Sequence, residues 1–312
     1  MDVRIAVVGC GAMGSIYAGL LAAAGHDVVA VSTNRDHVAA INDGGLRVSG
    51  ASGDRRVPVR ALTEAPLELF ELVILSVKAG DVRDAALAAR PMIGPGTLVL
   101  TIQNGLGSAD VVAGVLGSTG LIVGVAQGFG ASLREPGHAH HNDMKAIRMG
   151  AYAEVPGPEV ARIAQIWADA GFDAAAVTDI AAMQWDKLIC NAAYSAPCAL
   201  TGTTVGEAMD DPVLGEVTRA AAREAWTVAC ALGIALGFDD PVAHVREFAG
   251  RMPDAKPSVL LDLEAGRRTE VGVINGSIPR EAEKVGMTAP VNGTLTALVQ
   301  TLEQRSREGR PS

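Results

Sequence analysis

The sequence predicts an α/β protein in which a doubly wound parallel sheet is followed by an all-helical C-terminal domain. Three observations predict it: the length, an alternation of β-branched runs with Ala-rich stretches in the first half, and the loss of those runs after about residue 178. At 312 residues the chain exceeds the size at which one hydrophobic core usually stops growing, so two domains are expected, 1–178 and 179–312. Strands at 3–8, 28–32, 72–77, 97–102 and 121–125 are continuously apolar, as strands buried on both faces should be. Helical stretches at 14–24, 81–90 and 108–116 lie between them, with Gly25 as a left-handed C-cap. Residues 172–177 read as a short edge strand, and Pro156, Gly157 and Pro158 as a turn within the first domain. Beyond it, helical periodicity runs through 180–200, 212–236, 241–249, 256–265 and 292–304.

Apolar residues at 49% and charged residues at 20% give a globular profile, and aromatics at only 4% imply close packing through small side chains. The formal charge of −9 argues against a polyanion such as nucleic acid as partner. Cys10, Cys190, Cys198 and Cys230 show no CxxC or Cys/His metal spacing and read as reduced thiols of a cytoplasmic protein without a structural metal. With no basic leader and no apolar stretch of the roughly 20 residues that span a bilayer, neither export nor membrane insertion is expected. The polar tail 303–312 is expected to fray. An exposed Ala-rich helix face could support a homodimer, though no segment declares one.

The segment Gly9-Cys10-Gly11-Ala12-Met13-Gly14 follows the first strand and opens the first helix. Gly9 permits a tight turn, Gly11 lets backbone approach a pyrophosphate, and Gly14 lets the helix pack on the strand. The helix N-terminus adds free N–H groups and a positive dipole, so a Rossmann-type dinucleotide site is expected. An NAD site places an acid at the tip of the second strand, whereas here Ser32-Thr33-Asn34-Arg35 precede the first acid, Asp36. Arg35, helped by Thr33 and Asn34, could hold a 2′-phosphate, which favours NADP (NADPH); the alternative is a solvated loop charge.

Reduction of a ketone needs a proton donor for the developing alkoxide and polar groups that orient the substrate. On a helical wheel, Trp185, Leu188, Ile189, Ala192 and Ala196 form a packing face, and Lys187, Asn191 and Ser195 an adjoining polar stripe. Lys187 is thus a candidate acid, or a surface lysine at a helix edge. Glu270 lies where three glycines and an Asn-Gly pair break any regular helix, and is either aimed at a site or paired with Arg267 or Arg268. Lys78 and Asn104 follow strands at the carboxyl edge of the sheet, where ligands of such sheets bind; each could serve there or cap a loop. His138, His140 and His141 could suggest a metal, but no acid sits at ligand spacing and a polar hairpin is the better reading.

Taken together, these segments resemble the ketopantoate reductases (2-dehydropantoate 2-reductases) over nearly the whole chain. The matching pieces are GCGAMG at 9–14, SVKAGDV at 76–82, TIQNGLG at 101–107, PGHAHH at 136–141, WDKLICNAAYSAPCALTG at 185–202, KPSVLLDLEAGRRTEVGVING at 256–276, and Thr288 to Pro290. The resemblance implies NADPH-dependent reduction of a small 2-oxo acid, 2-dehydropantoate to pantoate, in pantothenate biosynthesis. It implies Lys187 as general acid, Glu270 as the acid that assists it, Asn104, Asn191 and Ser258 as contacts to substrate or nicotinamide, and Lys78 as a cofactor-side lysine. Three departures stand out: Ser195-Ala196 where the family usually has Asn-Pro, Gly272 where it commonly has an acid, and an arginine displaced from the second strand's tip to Arg35. They leave open another branched 2-oxo acid or ketone. A β-hydroxyacid dehydrogenase would share the GxGxMG turn and a lysine followed by asparagine, but QNGLG and TEVGVING speak for the reductase. The coincidence of Lys187, Asn191 and Glu270 speaks against a cofactor-sensing module without turnover.

Overall fold

In a computed structural model, which describes residues 2–128, 130–143 and 146–308, the five apolar runs become consecutive neighbours in one sheet. The chain divides into two units, Met1–Gln103 with Ser108–Ile180, and Asn104–Gly107 with Ala181–Ser312. The strands of the first unit are β1 (Arg4–Val8), β2 (Asp27–Val31), β3 (Leu46–Gly50), β4 (Arg55–Val57), β5 (Arg60–Leu62), β6 (Leu72–Leu75), β7 (Leu98–Thr101), β8 (Leu121–Gln127), β9 (Gly130–Glu135), β10 (His138–Asp143), β11 (Ala146–Ala151) and β12 (Asp173–Ala176).

The large sheet has the order β12-β11-β8-β7-β6-β1-β2-β5. From β8 to β5 every pairing is parallel; β11 joins β8 antiparallel, and β12 closes the edge parallel to β11. The chain leaves β1 for β2 on one side and returns as β6 on the other, so the strand order reverses at the carboxyl ends of β1 and β6. That reversal is where open α/β sheets bind ligands. All residues of β6 and β7 are buried, which explains why they lack alternation. The helices of this unit are α1 (Ala12–Ala23), α2 (Arg35–Gly44), α3 (Val82–Ala89), α4 (Ser108–Leu116) and α5 (Gly157–Asp169). Pro156, Gly157 and Pro158 begin α5 rather than forming a bare turn, because proline is tolerated in a first helical turn whose N–H groups have no partner anyway. Tyr17, Trp167 and Phe172 meet at ring-centroid distances of 4.9 to 6.0 Å and fill the core beneath α1 and α5.

A second sheet, β4-β3-β10-β9, lies against α1. A Cβ on Gly19 would come within 2.4 Å of Val48 Cγ2, so glycine lets the helix seat on this sheet. The histidine-rich segment is the second strand of the β9–β10 hairpin. It alternates, with Ala139 and His141 buried, while Ser49 Oγ bonds His138 Nε2 at 2.7 Å and His140 Nδ1 at 3.0 Å.

The second unit is helical: α6 (Ile180–Thr201), α7 (Val205–Asp210), α8 (Leu214–Ala231), α9 (Pro241–Gly250), α10 (Ser258–Glu264), α11 (Ser277–Glu283) and α12 (Pro290–Arg307). Its core is built on small residues, among them Ala192, Ala193, Ala221, Ala222 and Ala225, each fully buried. Helix α12 continues through the first half of the tail expected to fray, to Arg307, supported by an Arg307–Glu303 pair at 2.7 Å, and of that tail 309–312 lie outside the described residues. Among the described residues no helix is long and apolar enough to cross a membrane.

Candidate active site

At the carboxyl end of β1 the three motif glycines meet three different demands. Gly9 has φ +93°, and a Cβ there would lie 2.5 Å from Val77 Cγ1. A Cβ on Gly14 would lie 2.4 Å from the Gly9 carbonyl oxygen and 2.7 Å from Ser76 Oγ, so glycine lets α1 lie close on the turn. Gly11, by contrast, has no protein atom within 4 Å of its would-be Cβ and caps the N-terminus of α1 without a side-chain hydrogen bond. Cys10 is fully buried between them, and desolvation pushes its thiol up to about 11. Ala12 and Met13 are partly buried and form the first turn of α1.

Sequence reasoning missed the support behind this turn. His37 in α2 is fully buried; the Gly137 N–H donates to its Nδ1 at 3.0 Å, and Ser15 Oγ lies 2.9 Å from its Nε2. Because Nδ1 accepts, the neutral ring carries its proton on Nε2 and donates to Ser15. Burial holds the His37 pKa below its ordinary value. Arg35, the first residue of α2, is exposed, and the Asn34 side chain before it is used as an N-cap, accepting from His37 N at 3.1 Å. Lys78 is exposed and heads a single 3-10 turn after β6, its carbonyl accepting from Asp81 N at 2.9 Å.

In the helical unit, three residues far apart in sequence come together. Lys187 Nζ donates to Asn104 Oδ1 at 2.7 Å, and Asn104 Nδ2 donates to Glu270 Oε2 at 3.1 Å. Burial lowers the Lys187 pKa to about 8, and the Glu270 carboxylate opposes that shift by favouring the ammonium. The surface-pair alternative for Glu270 does not hold for Arg267, which pairs with Asp262 at 2.9 Å.

The backbone explains how the three segments meet. Residues 270–276 are wound by Val273 N and Ile274 N bonding the Glu270 carbonyl and Gly276 N bonding the Val271 carbonyl, at 2.9 to 3.1 Å. The Leu106 N–H then bonds the Val273 carbonyl at 3.0 Å, docking the 104–107 loop on this turn. Gly105 has φ +75°, and a Cβ there would fall 2.0 Å from that carbonyl oxygen, so only glycine allows the approach.

On α6, the expected packing residues Trp185, Leu188, Ile189, Ala192 and Ala196 are all buried. Of the polar stripe, Lys187 and Asn191 are half-buried and Ser195 is 4% exposed. Ser258, the first residue of α10, is exposed. One further cluster among the described residues brings Asp186, Cys190 and His244 together; His244 Nε2 bonds Asp186 Oδ1 at 2.8 Å and its ring stacks on Phe238 at 3.8 Å.

Residues 5–154 match the family described as ketopantoate reductase PanE/ApbA, and residues 179–303 match its C-terminal counterpart, ketopantoate reductase PanE/ApbA C terminal. A 2-dehydropantoate 2-reductase of Archaeoglobus fulgidus is 31% identical over 300 residues, 96% of this chain and 98% of the relative. The solved PanE/ApbA family ketopantoate reductase from Ralstonia eutropha JMP134 superposes with a TM-score of 0.89 at 32% identity, over 97% of this chain and 99% of that one. A D-mandelate dehydrogenase solved with NADH and anilino(oxo)acetate reaches a TM-score of 0.90 at 22% identity over 97% of this chain and 99% of that one, a likeness of fold alone. Matched over most of its length in both halves, the chain belongs to the ketopantoate reductase family of oxidoreductases.

Proposed function

We propose that the chain catalyses NADPH-dependent reduction of 2-dehydropantoate to pantoate, a step of pantothenate biosynthesis in the cytoplasm, with Lys187 as general acid. The observation that carries this reading is the Lys187–Asn104–Glu270 network. The relative from Archaeoglobus fulgidus, named 2-dehydropantoate 2-reductase, supports the substrate.

The residues of the first turn fit a dinucleotide. Protein packing accounts for Gly9 and Gly14 but makes no demand on Gly11, whose open Cβ direction suits close approach of a pyrophosphate to the N-terminus of α1. Arg35, exposed just beyond β2, would hold the 2′-phosphate that distinguishes NADPH, and Lys78 and Asn104 would serve the cofactor side.

When bound, the nicotinamide supplies the hydride that reduces the carbonyl carbon of the substrate. Lys187 Nζ gives a proton to the carbonyl oxygen as its π bond opens, so that oxygen stays on the carbon as the product hydroxyl and the amine is reprotonated from solvent. Glu270, through the Asn104 amide and its own charge, keeps the lysine an ammonium and orients it. Asn191 and Ser195, one and two turns along α6, together with Ser258 and Asn104, would hold the substrate carboxylate. A second reading, reduction of a different branched 2-oxo acid, draws on Ser195, a short and buried hydroxyl on that stripe.

The test is to follow NADPH oxidation on adding 2-dehydropantoate to the purified protein, then repeat with NADH and with a panel of 2-oxo acids. Rapid consumption of NADPH supports both cofactor and substrate. Turnover with other 2-oxo acids but not with 2-dehydropantoate would replace the substrate and leave the chemistry. No consumption with any of them would end the reductase reading.

A further inference from the structure

What holds the Glu270 turn against the helix that carries Lys187 lies behind the network itself. Asn275, five residues past Glu270, is fully buried. Its Nδ2 donates to the Ala192 carbonyl of α6 at 2.9 Å and to Asn292 Oδ1 at 2.9 Å. Asn292, in the first turn of α12 and also fully buried, donates its own Nδ2 to Glu224 Oε2 at 2.8 Å and to the Ala221 carbonyl at 3.1 Å, both on α8. Glu224 in turn accepts from the N–H groups of Val291 and Asn292, at 2.9 and 2.7 Å, and so caps α12. A chain of polar groups therefore runs from a carboxylate on α8 through two amides to the backbone of α6.

The chemistry of this chain separates positioning from packing. Asn275 Oδ1 is buried and makes no hydrogen bond among the described residues. If the site needed only volume, leucine would fill it without a desolvated oxygen, since burying an unpaired acceptor costs free energy. What an amide adds is direction: hydrogen bonds weaken steeply away from linearity, so two donors from one Nδ2 fix the rotation and register of the turn on α6. Ala192 lies five residues past Lys187 on the same helix, and Glu270 opens the turn that Asn275 pins, so this bond sets the distance between the two.

We propose that Asn275, anchored by Asn292 and Glu224, is a positioning residue for the reaction: it holds the Glu270 carboxylate in register with Lys187 while touching neither substrate nor cofactor. The inference rests on reading Lys187 and Glu270 as the reacting pair.

The test is a double-mutant cycle on the full chain, read by steady-state turnover of 2-dehydropantoate with NADPH. Asn275→Leu should lower kcat roughly ten- to a hundredfold, the scale expected when a reacting group is displaced, with cofactor affinity unchanged. In a Glu270→Gln background the same substitution should cost less than about threefold, because there is no longer a carboxylate to position. Equal losses in both backgrounds, or a folded Asn275→Leu with normal kcat, would overturn the proposal. Should Asn275→Leu not fold, Asn275→Ser, which keeps a shorter donor, is read through the same cycle with the same two overturning outcomes. Normal turnover in Glu270→Gln alone would instead bring down the reading of the reacting pair, and this inference with it.

Discussion

The glycine turn after β1 and the Lys187 network are built on opposite principles. The turn occupies six successive residues, and its logic is almost wholly backbone: one positive φ, one close approach and one open Cβ direction. The network takes its members 83 and 166 residues apart, and its logic is side-chain hydrogen bonding held by loop docking. A local device rests mainly on residues within it and the few packed directly behind it, whereas an assembled one is exposed to every segment that helps to assemble it.

The sharpest way to break the contrast is at Lys187. Replacing it with alanine should lower kcat by about 10² or more, roughly 2.7 kcal/mol of barrier, while cofactor affinity measured by fluorescence titration stays near that of the parent chain. A variant that turns over normally would remove the assembled site from the chemistry altogether.

Within the local device the two glycines should part company. Gly14→Ala, with its methyl 2.4 Å from the Gly9 carbonyl oxygen, should cost about 1–3 kcal/mol of stability in denaturant melts and abolish cofactor binding. Gly11→Ala meets no protein atom, so its stability should stay within about 0.5 kcal/mol while cofactor affinity falls tenfold or more, about 1.4 kcal/mol. Equal destabilisation by both substitutions would erase the distinction between packing and ligand glycines.

A smaller effect sharpens the electrostatics of the assembled site. With the Lys187 pKa lowered to about 8, the ammonium proposed as proton donor is lost as pH rises, so kcat for reduction should fall above about pH 8. Glu270 raises that pKa against the effect of burial, so Glu270→Gln should move the falling limb to lower pH. A limb that stays in place would detach the carboxylate from the lysine.

The smallest expected effect belongs to the support of the local turn. Burial holds His37 below its ordinary value near 6.5, so the unfolded chain takes up this proton first as pH falls. Its contribution to stability is full above about pH 6.5 and is lost below it, and melting temperatures should drop less between about pH 7 and 5 in His37→Gln than in the parent chain. Parallel pH dependence in the two would assign the acid sensitivity elsewhere, with buried His141, also lowered by burial, the next group to replace.

The contrast also explains what could be read from the chain. β1, β2, β6, β7 and β8 are legible because strands covered on both faces are continuously apolar. β3, β4, β9 and β10 are not, because one face of that small sheet is polar and strands such as Arg55–Val57 are short, with two of three residues charged. Pro156-Gly157-Pro158 misleads because proline serves turns and first helical turns alike. For the site, Lys187 and Glu270 stand out by residue type and local setting, but nothing near Asn104 announces that Gly105 brings it onto the 270–276 turn. Asn275 reads as half of an Asn-Gly turn signal, although it is a buried anchor, and His37 carries no local signal at all.

The thiol buried in the middle of the glycine turn makes a clock. Cys10, Cys190 and Cys198 are buried and Cys230 is exposed, so a maleimide should consume Cys230 at once and Cys10 only as often as the turn opens. Mass-resolved alkylation of Cys10 would then time the opening of the glycine turn, and if a dinucleotide seats there as proposed it should slow that clock in proportion to its occupancy.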